Sequence, residues 1–297
     1  MVATSAIFLS LAAIAQSRVV SRQNRNSAAA STAAKVVYDG RVDAAARTTD
    51  FDTAGPFGND NVKGNGLLFS NLVTFPDVPD SIFDAQVGAK AIEVQITDDS
   101  IFVPGGNVAN AQTAVRRTEL NPAGGGNTTT GVKTLHVSLR PSANALNTSH
   151  EYSLVFLERA DFSANLFVLR TGTLLGSNGA SKDDLVLIGN TAAGSKTLFT
   201  TPFTDNVWTN LALQLDFNAN TLQVFSSTDN EPLTQATTPL ANDLSGNGQF
   251  HFGVNKNPTE PGADVLRTGF QESGILEGVV YGGIFVEDTA SGRVTSL

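Results

Sequence analysis

A short charged stretch at residues 115–120 (VRRTEL) stands out, because only 16% of this chain is Asp, Glu, Lys or Arg. In a strand, side chains two residues apart point to the same side, so Arg117 and Glu119 would be neighbours. A guanidinium there favours the ionised carboxylate, or binds substrate hydroxyls directly. The alternative is a surface ion pair, which contributes little to stability.

A second carboxylate ends the apolar stretch YSLVFLERAD. Two-residue alternation predicts that Tyr152, Leu154, Phe156 and Glu158 share one face of a strand. Desolvation on that face would raise the pKa of Glu158 and suit it to act as a general acid. The alternative is a strand-end glutamate in solvent, paired with Arg159. Paired carboxylates are the groups that glycoside hydrolysis requires.

A histidine lies in the strand-like stretch GQFHFGV. Alternation places Gln249, His251 and Gly253 on one face, with Phe250 and Phe252 facing an opposing sheet. A histidine beside a glutamine on a polar face could hydrogen-bond a sugar or tune a carboxylate. The alternative is a structural histidine that only completes the hydrogen bonds of its strand.

The closing stretch GFQESGILEGVVYGGIFVED holds further polar candidates. We expect Gln271 and Glu272 to contact substrate, and Glu272 and Glu277 are the rival acids to the first two glutamates. Glu277 shares a strand face with Tyr281 if the register holds. The alternative places Glu272 in a turn without a role. Trp208, the single tryptophan, is expected in the core rather than on a sugar-stacking surface.

The composition excludes several kinds of chemistry. The chain has no cysteine, so it has no thiol nucleophile and no thiolate metal site. Its three histidines have no metal-ligand spacing, and no phosphate-binding loop or nucleophile elbow is present. We therefore expect no metal or other cofactor. The net charge of −9 disfavours nucleic acid and anionic membranes as partners, whereas a neutral glucan meets no such barrier.

Alternating apolar residues are separated by clusters of Gly, Asn, Asp and Pro along most of the chain. This pattern predicts short antiparallel strands, and no segment has the periodicity of a long helix. The predicted fold is all-β, a two-sheet antiparallel β-sandwich of jelly-roll type. In such a fold a curved sheet can present polar side chains to a groove on its outer face.

The N-terminal region differs from the rest of the chain. Residues 1–15 contain a short apolar run, AIFLSLAAIA, which predicts a signal peptide and a secreted, extracellular protein. The polar, alanine-rich residues 16–35 predict a disordered leader, and the catalytic domain is expected over 36–297. Glycosylation sequons at Asn127 and Asn147 agree with secretion.

Four stretches in this order resemble the catalytic domain of glycoside hydrolase family 131: RRTELNP, YSLVFLERADF, QFHFGVNKNP and the closing GFQESGILEGVVYGGIFVED. The resemblance covers residues 36–297. It implies a secreted fungal β-glucanase with a jelly-roll fold, active on 1,3-, 1,6- and 1,4-linked β-glucans with inversion. It further implies Glu119 and Glu158 as the catalytic pair and His251 as their companion. We expect Glu158 as acid, Glu119 as base, and a monomeric protein.

Two other functions fit the same fold. A carbohydrate-binding or lectin-like sandwich would share the groove without turnover. A polysaccharide lyase would act on uronic acids, whose negative charge this acidic domain would repel.

Overall fold

The computed structural model describes four segments of the chain: residues 34–53, 55–58, 62–124 and 127–295. The predicted signal peptide at 1–15 and almost all of the predicted leader lie outside these residues. The first described strand begins at Lys35, one residue before the predicted start of the domain.

Strands form most of the regular structure in the described residues. In chain order they are β1 (Lys35–Asp39), β2 (Val42–Asp43), β3 (Val73–Thr74), β4 (Ala89–Lys90), β5 (Ile92–Thr97), β6 (Arg116–Leu120), β7 (Val132–Pro141), β8 (Glu151–Arg159), β9 (Asn165–Gly172), β10 (Asp184–Gly189), β11 (Thr197–Pro202), β12 (Thr209–Asp216), β13 (Thr221–Thr228), β14 (Thr234–Gln235), β15 (Leu240–Ala241), β16 (Gly248–Lys256) and β17 (Leu276–Asp288).

Helices are short. Over the described ranges one α-helix, α1, covers Ile82–Ala85, and five 3-10 turns cover Thr48–Asp52, Phe69–Asn71, Pro104–Gly106, Val108–Asn110 and Thr191–Ala193. None of these helices, in the segments that the structure describes, has the length and apolar character needed to cross a bilayer.

In the described residues two large antiparallel sheets make up the sandwich, and β2 and β4 pair in a separate two-stranded sheet. The larger sheet has nine strands, with β14-β13-β12-β7-β17-β5-β3 in order, β1 beside β17 and β15 beside β13. The smaller sheet has six strands in the order β11-β10-β9-β8-β16-β6. The chain crosses between the sheets repeatedly, as from β5 to β6, β6 to β7 and β7 to β8, which is typical of jelly rolls. The prediction of an all-β, two-sheet antiparallel fold is confirmed.

The core lies between the sheets and follows the alternation read from the sequence. The inward side chains of β7 and β12 are almost fully buried: Leu135, Val137, Leu139, Leu211, Leu213 and Leu215. Burial of each such side chain contributes about 1.5–3 kcal/mol to folding, so this face fixes the strand register. Trp208 is buried and donates from Nε1 to the carbonyl oxygen of Pro79 at 2.8 Å, which confirms its predicted place in the core.

Strand β8 departs from the predicted alternation. Its pairing with β9 shifts register between Ser153 and Val155, so a bulge interrupts the two-residue period. Tyr152 and Leu154 pack in the main core, whereas Phe156 belongs to a separate cluster with Val168. The single face predicted for Tyr152, Leu154, Phe156 and Glu158 is therefore wrong. The bulge turns the C-terminal half of β8 so that Phe156 and Glu158 lie on the outer face of the smaller sheet.

Candidate active site

Strand β16 lies between β6 and β8 and brings their polar residues together. On one side Gly253 is paired with Glu119 of β6. On the other side His251 is paired with Phe156, and Gln249 with Glu158. Because alternate residues of β16 point outward, His251 meets side chains from both neighbouring strands.

Gly253 permits the close approach of β6. A Cβ atom at this position would overlap the carbonyl oxygen of Thr118 and lie 2.9 Å from Cα of Glu119. Tyr281 of the opposing sheet also donates its hydroxyl to the Gly253 carbonyl at 2.6 Å. The absence of a side chain at residue 253 thus sets the position of Glu119 beside His251.

Glu119 is a buried carboxylate with charged partners on both oxygens. Its side chain is 0% exposed. Arg117 donates to it from Nε at 2.8 Å and from Nη2 at 3.0 Å, and His251 Nδ1 lies 2.9 Å from Oε2. Burial alone would raise the pKa of Glu119, but Arg117 and His251 outweigh it and lower that pKa to about 2. Gln112 holds Arg117 in turn, since its Oε1 accepts from Nη1 at 2.8 Å.

The contacts of His251 fix both the orientation of its ring and the nitrogen that carries the proton. Its ring stacks on Phe156 with centroids 4.3 Å apart. Nδ1 has two neighbours, Oε2 of Glu119 and, at 3.0 Å, Nδ2 of Asn121. An ionised carboxylate needs a donor, so Nδ1 carries the proton and donates to Glu119. The amide nitrogen of Asn121 then donates to the carbonyl oxygen of Phe250 at 3.3 Å.

Glu158 faces the other ring nitrogen and the solvent. His251 Nε2 lies 3.3 Å from Oε2 of Glu158, a charge contact without the alignment of a good hydrogen bond. Burial lowers the pKa of His251, but the two facing carboxylates outweigh it and raise that pKa above its ordinary value. The Glu158 side chain is 27% exposed, against 4% for His251 and 0% for Glu119. Of these three side chains, Glu158 is therefore the one open to a ligand.

The other predicted substrate contacts lie away from this cluster. Glu272 accepts from Lys256 Nζ at 2.6 Å and lies 2.8 Å from His150 Nε2. Burial opposes ionisation, but the bond from Lys256 prevails and lowers the pKa of Glu272 to about 2. Gln271 donates to the carbonyl oxygens of Ala114 and Lys256. Lys256 is five residues from His251 along β16, roughly 16 Å at the rise of a strand.

The structure thus does not bring Gln271 or Glu272 to the Glu119–His251–Glu158 cluster, and their contact with substrate stays a prediction. Glu277, the second rival acid, is buried and bonded to Tyr152 and Lys256, each at 2.7 Å. It holds the end of the sandwich together rather than facing a ligand. It does share the inner face with Tyr281, as predicted.

Sequence reasoning missed two residues that support the site, Gln112 and Asn121. Both lie within three residues of the VRRTEL stretch at 115–120. That closeness along the chain is the one sequence signal that could have identified them. Elsewhere, a cavity of about 760 Å³ is lined by residues between Asp39 and Phe57 and includes none of the three clustered side chains. Within the described segments, no group of three or more His, Asp or Glu side chains is arranged to hold a metal ion.

The fold is thus a β-sandwich that holds a histidine between a buried and a partly exposed carboxylate on the outer face of one sheet, and such groups are typical of general acid–base catalysis. Comparison with known protein families identifies the family of this chain. The model of the glycoside hydrolase 131 catalytic N-terminal domain matches residues 36–292, so the chain belongs to glycoside hydrolase family 131. It is a glycoside hydrolase.

Solved structures agree with this assignment in fold. The catalytic domain of a GH131 β-glucanase from Podospora anserina has a TM-score of 0.68 and 24% identity, covering 88% of this chain and 98% of that one. The catalytic domain of the family 131 protein from Coprinopsis cinerea has a TM-score of 0.62 and 20% identity, covering 86% and 94%. None of the curated protein sequences compared with this chain matches it.

Proposed function

We propose that this protein hydrolyses β-linked glucans and that Glu158 is the group that exchanges a proton with the substrate. One observation carries the proposal: Glu158 is the most exposed of three groups in contact, which continue through His251 to the buried Glu119. Membership of family 131 supports the reaction, and the similar Podospora anserina protein is a β-glucanase. The proposed substrates are 1,3-, 1,6- and 1,4-linked β-glucans.

The buried Glu119 determines which ring nitrogen of His251 faces Glu158. With Nδ1 of His251 committed to Glu119, Nε2 is the ring nitrogen that faces Glu158, 3.3 Å from Oε2, so a proton on Nε2 can pass to that carboxylate. When the proton lies on Glu158, that carboxylic acid can protonate the glycosidic oxygen as the bond to the sugar breaks. Glu119 then acts through His251 as a positioning residue. The expected role of Glu119 as a base in direct contact with water does not suit its complete burial.

The proposed stereochemical outcome is inversion. The resemblance to family 131 implies this outcome, and Glu158 is the one partly open carboxylate of the cluster, so no second carboxylate there is placed to act as a nucleophile. Glu119 is also too buried to form a covalent bond to a sugar. Water then attacks the anomeric carbon directly from the face opposite Glu158, its proton passes to bulk water, and the configuration inverts.

The test is product analysis on purified β-glucans of 1,3-, 1,4- and 1,6-linkage, with the first-formed anomer followed by NMR. We expect release of reducing sugar and initial formation of the α-anomer, both abolished by Glu158→Gln. Binding of these glucans without release of sugar would instead support a carbohydrate-binding protein. An unsaturated product that absorbs in the ultraviolet would indicate a lyase.

We also infer secretion from the apolar run within residues 1–15, and we expect the secreted protein to be a monomer. Expression in a secreting host, followed by N-terminal sequencing and light scattering, tests this. A mature chain that begins after Ala15 and has the mass of one copy is the expected result. An intact N-terminus inside the cell would contradict it.

A further inference from the structure

An exposed aromatic side chain follows the proposed acid within the same hairpin. Phe162 lies in the turn between β8 and β9 and is 79% exposed, more than any other large apolar side chain in the described segments. It is four residues from Glu158, at most about 14 Å along the chain. Burial does not explain this ring, since it packs into none of the apolar clusters of the domain.

The turn holds Phe162 in a conformation that phenylalanine rarely adopts. Its φ is 59°, in the left-handed region, where bulky residues are outliers. The turn is fixed on both sides: the Phe162 amide donates to the carbonyl oxygen of Arg159 at 2.8 Å, and Asp161 accepts from the amide and hydroxyl of Ser163. Backbone strain of this kind costs free energy, and it concentrates at binding and active sites.

A polar side chain suited to sugar hydroxyls lies at the same end of the sheet. Gln249 is exposed and is paired across strands with Glu158. The turn that carries Phe162 also contacts the segment leading into β16, because the amide of Ala160 donates to the carbonyl oxygen of Asn247 at 3.3 Å. Phe162 and Gln249 therefore lie on two sides of Glu158, one on the hairpin turn and one on the neighbouring strand.

We propose that Phe162 and Gln249 form a sugar-binding subsite next to the point of cleavage. The phenylalanine ring would stack on the apolar C–H face of a glucose unit, and the glutamine amide would hydrogen-bond its hydroxyls. This inference rests on the proposed function, since it assigns the sugar units of the same glucan. Its consequence is a preference for chains long enough to reach the turn as well as the acid.

The decisive experiment measures binding and turnover separately for glucan oligosaccharides of increasing length. The variants are Phe162→Asn, which removes the ring with a residue that tolerates the left-handed region, and Phe162→Tyr, which keeps the ring. Phe270→Asn is the matched control, because Phe270 is an exposed phenylalanine whose backbone pairs with Thr259 elsewhere in the domain. Affinity is measured by calorimetry in the Glu158→Gln background, where the bound chain stays intact.

We expect Phe162→Asn to weaken binding of the longer oligosaccharides roughly three- to tenfold and to raise KM with kcat nearly unchanged. The shortest oligosaccharides should show no change, and the tyrosine and Phe270 variants should behave as the wild type. If the wild type hydrolyses glucans and Phe162→Asn binds every length equally well, the subsite is wrong and the proposed function stands. If the wild type neither binds nor hydrolyses any glucan, both fail.

Discussion

Replacement of Glu119 by glutamine should affect stability and activity together, because this carboxylate is both buried and bonded to His251. The variant keeps the shape of the side chain and removes its charge, so Arg117 loses its buried partner. In the folded protein the pKa of Glu119 is about 2, against 4.5 for an unperturbed glutamate. That difference corresponds to about 3 kcal/mol of stability, similar to the roughly 3–5 kcal/mol lost when one member of a buried ion pair is removed.

The sign of the pH dependence follows from the lowered pKa. The contribution of Glu119 is complete above pH 4.5 and is lost as pH falls through the folded-state value of about 2. Chemical denaturation of the wild type and Glu119→Gln should therefore differ by about 3 kcal/mol at pH 7 and converge toward pH 2. At pH 7 the melting temperature should fall by about 6–12 °C. Turnover should fall at least ~100-fold, because the tautomer of His251 is no longer fixed.

Glu231→Gln serves as the control, since Glu231 is exposed and should alter stability by less than about 0.5 kcal/mol. The reasoning would be refuted if Glu119→Gln lost the same stability at every pH, since the loss would then not come from the charge. It would equally be refuted if the variant kept the turnover of the wild type.

Three further substitutions test neighbouring parts of the site. His251→Asn should move the alkaline limb of kcat/KM to lower pH, since the raised pKa of His251 keeps a proton beside Glu158 until pH rises past that pKa; an unmoved limb contradicts this. Arg117→Lys should raise the pKa of Glu119, because lysine cannot form the two-pronged bond, so acid denaturation should begin at higher pH; an unchanged acid profile would oppose this. Gly253→Ala should destabilise the fold by about 1–3 kcal/mol in urea denaturation, because its Cβ overlaps the Thr118 carbonyl, and wild-type stability would show that β6 can move.

The sequence predicted much of this fold because alternation of apolar residues reports directly on the two-sheet core. Leu135, Val137 and Leu139 are buried on one face of β7 for that reason. Alternation gave the wrong faces in β8, because the bulge at Ser153–Val155 depends on pairing with β9, which the local sequence does not reveal. It therefore grouped Tyr152 with Glu158, although they face opposite sides.

The site was predicted less completely than the fold. Arg117 and Glu119 are neighbours because they lie two residues apart on one strand, and that contact follows from spacing alone. The burial of Glu119 does not follow from spacing, because it depends on the strands and loops packed around β6. The same holds for Glu272, whose bond to Lys256 joins residues that only the folded chain brings together.

The most direct test of the account is the initial rate of glucan hydrolysis by Glu158→Gln, measured beside its melting temperature. Glu158 is the most exposed member of the cluster, and its 3.3 Å contact with His251 is not a well-aligned hydrogen bond, so the variant should melt within about 2 °C of the wild type. Its turnover should fall by roughly 100- to 10,000-fold, the usual contribution of a general acid. A stable variant that keeps more than about a tenth of the wild-type rate would show that another group transfers the proton.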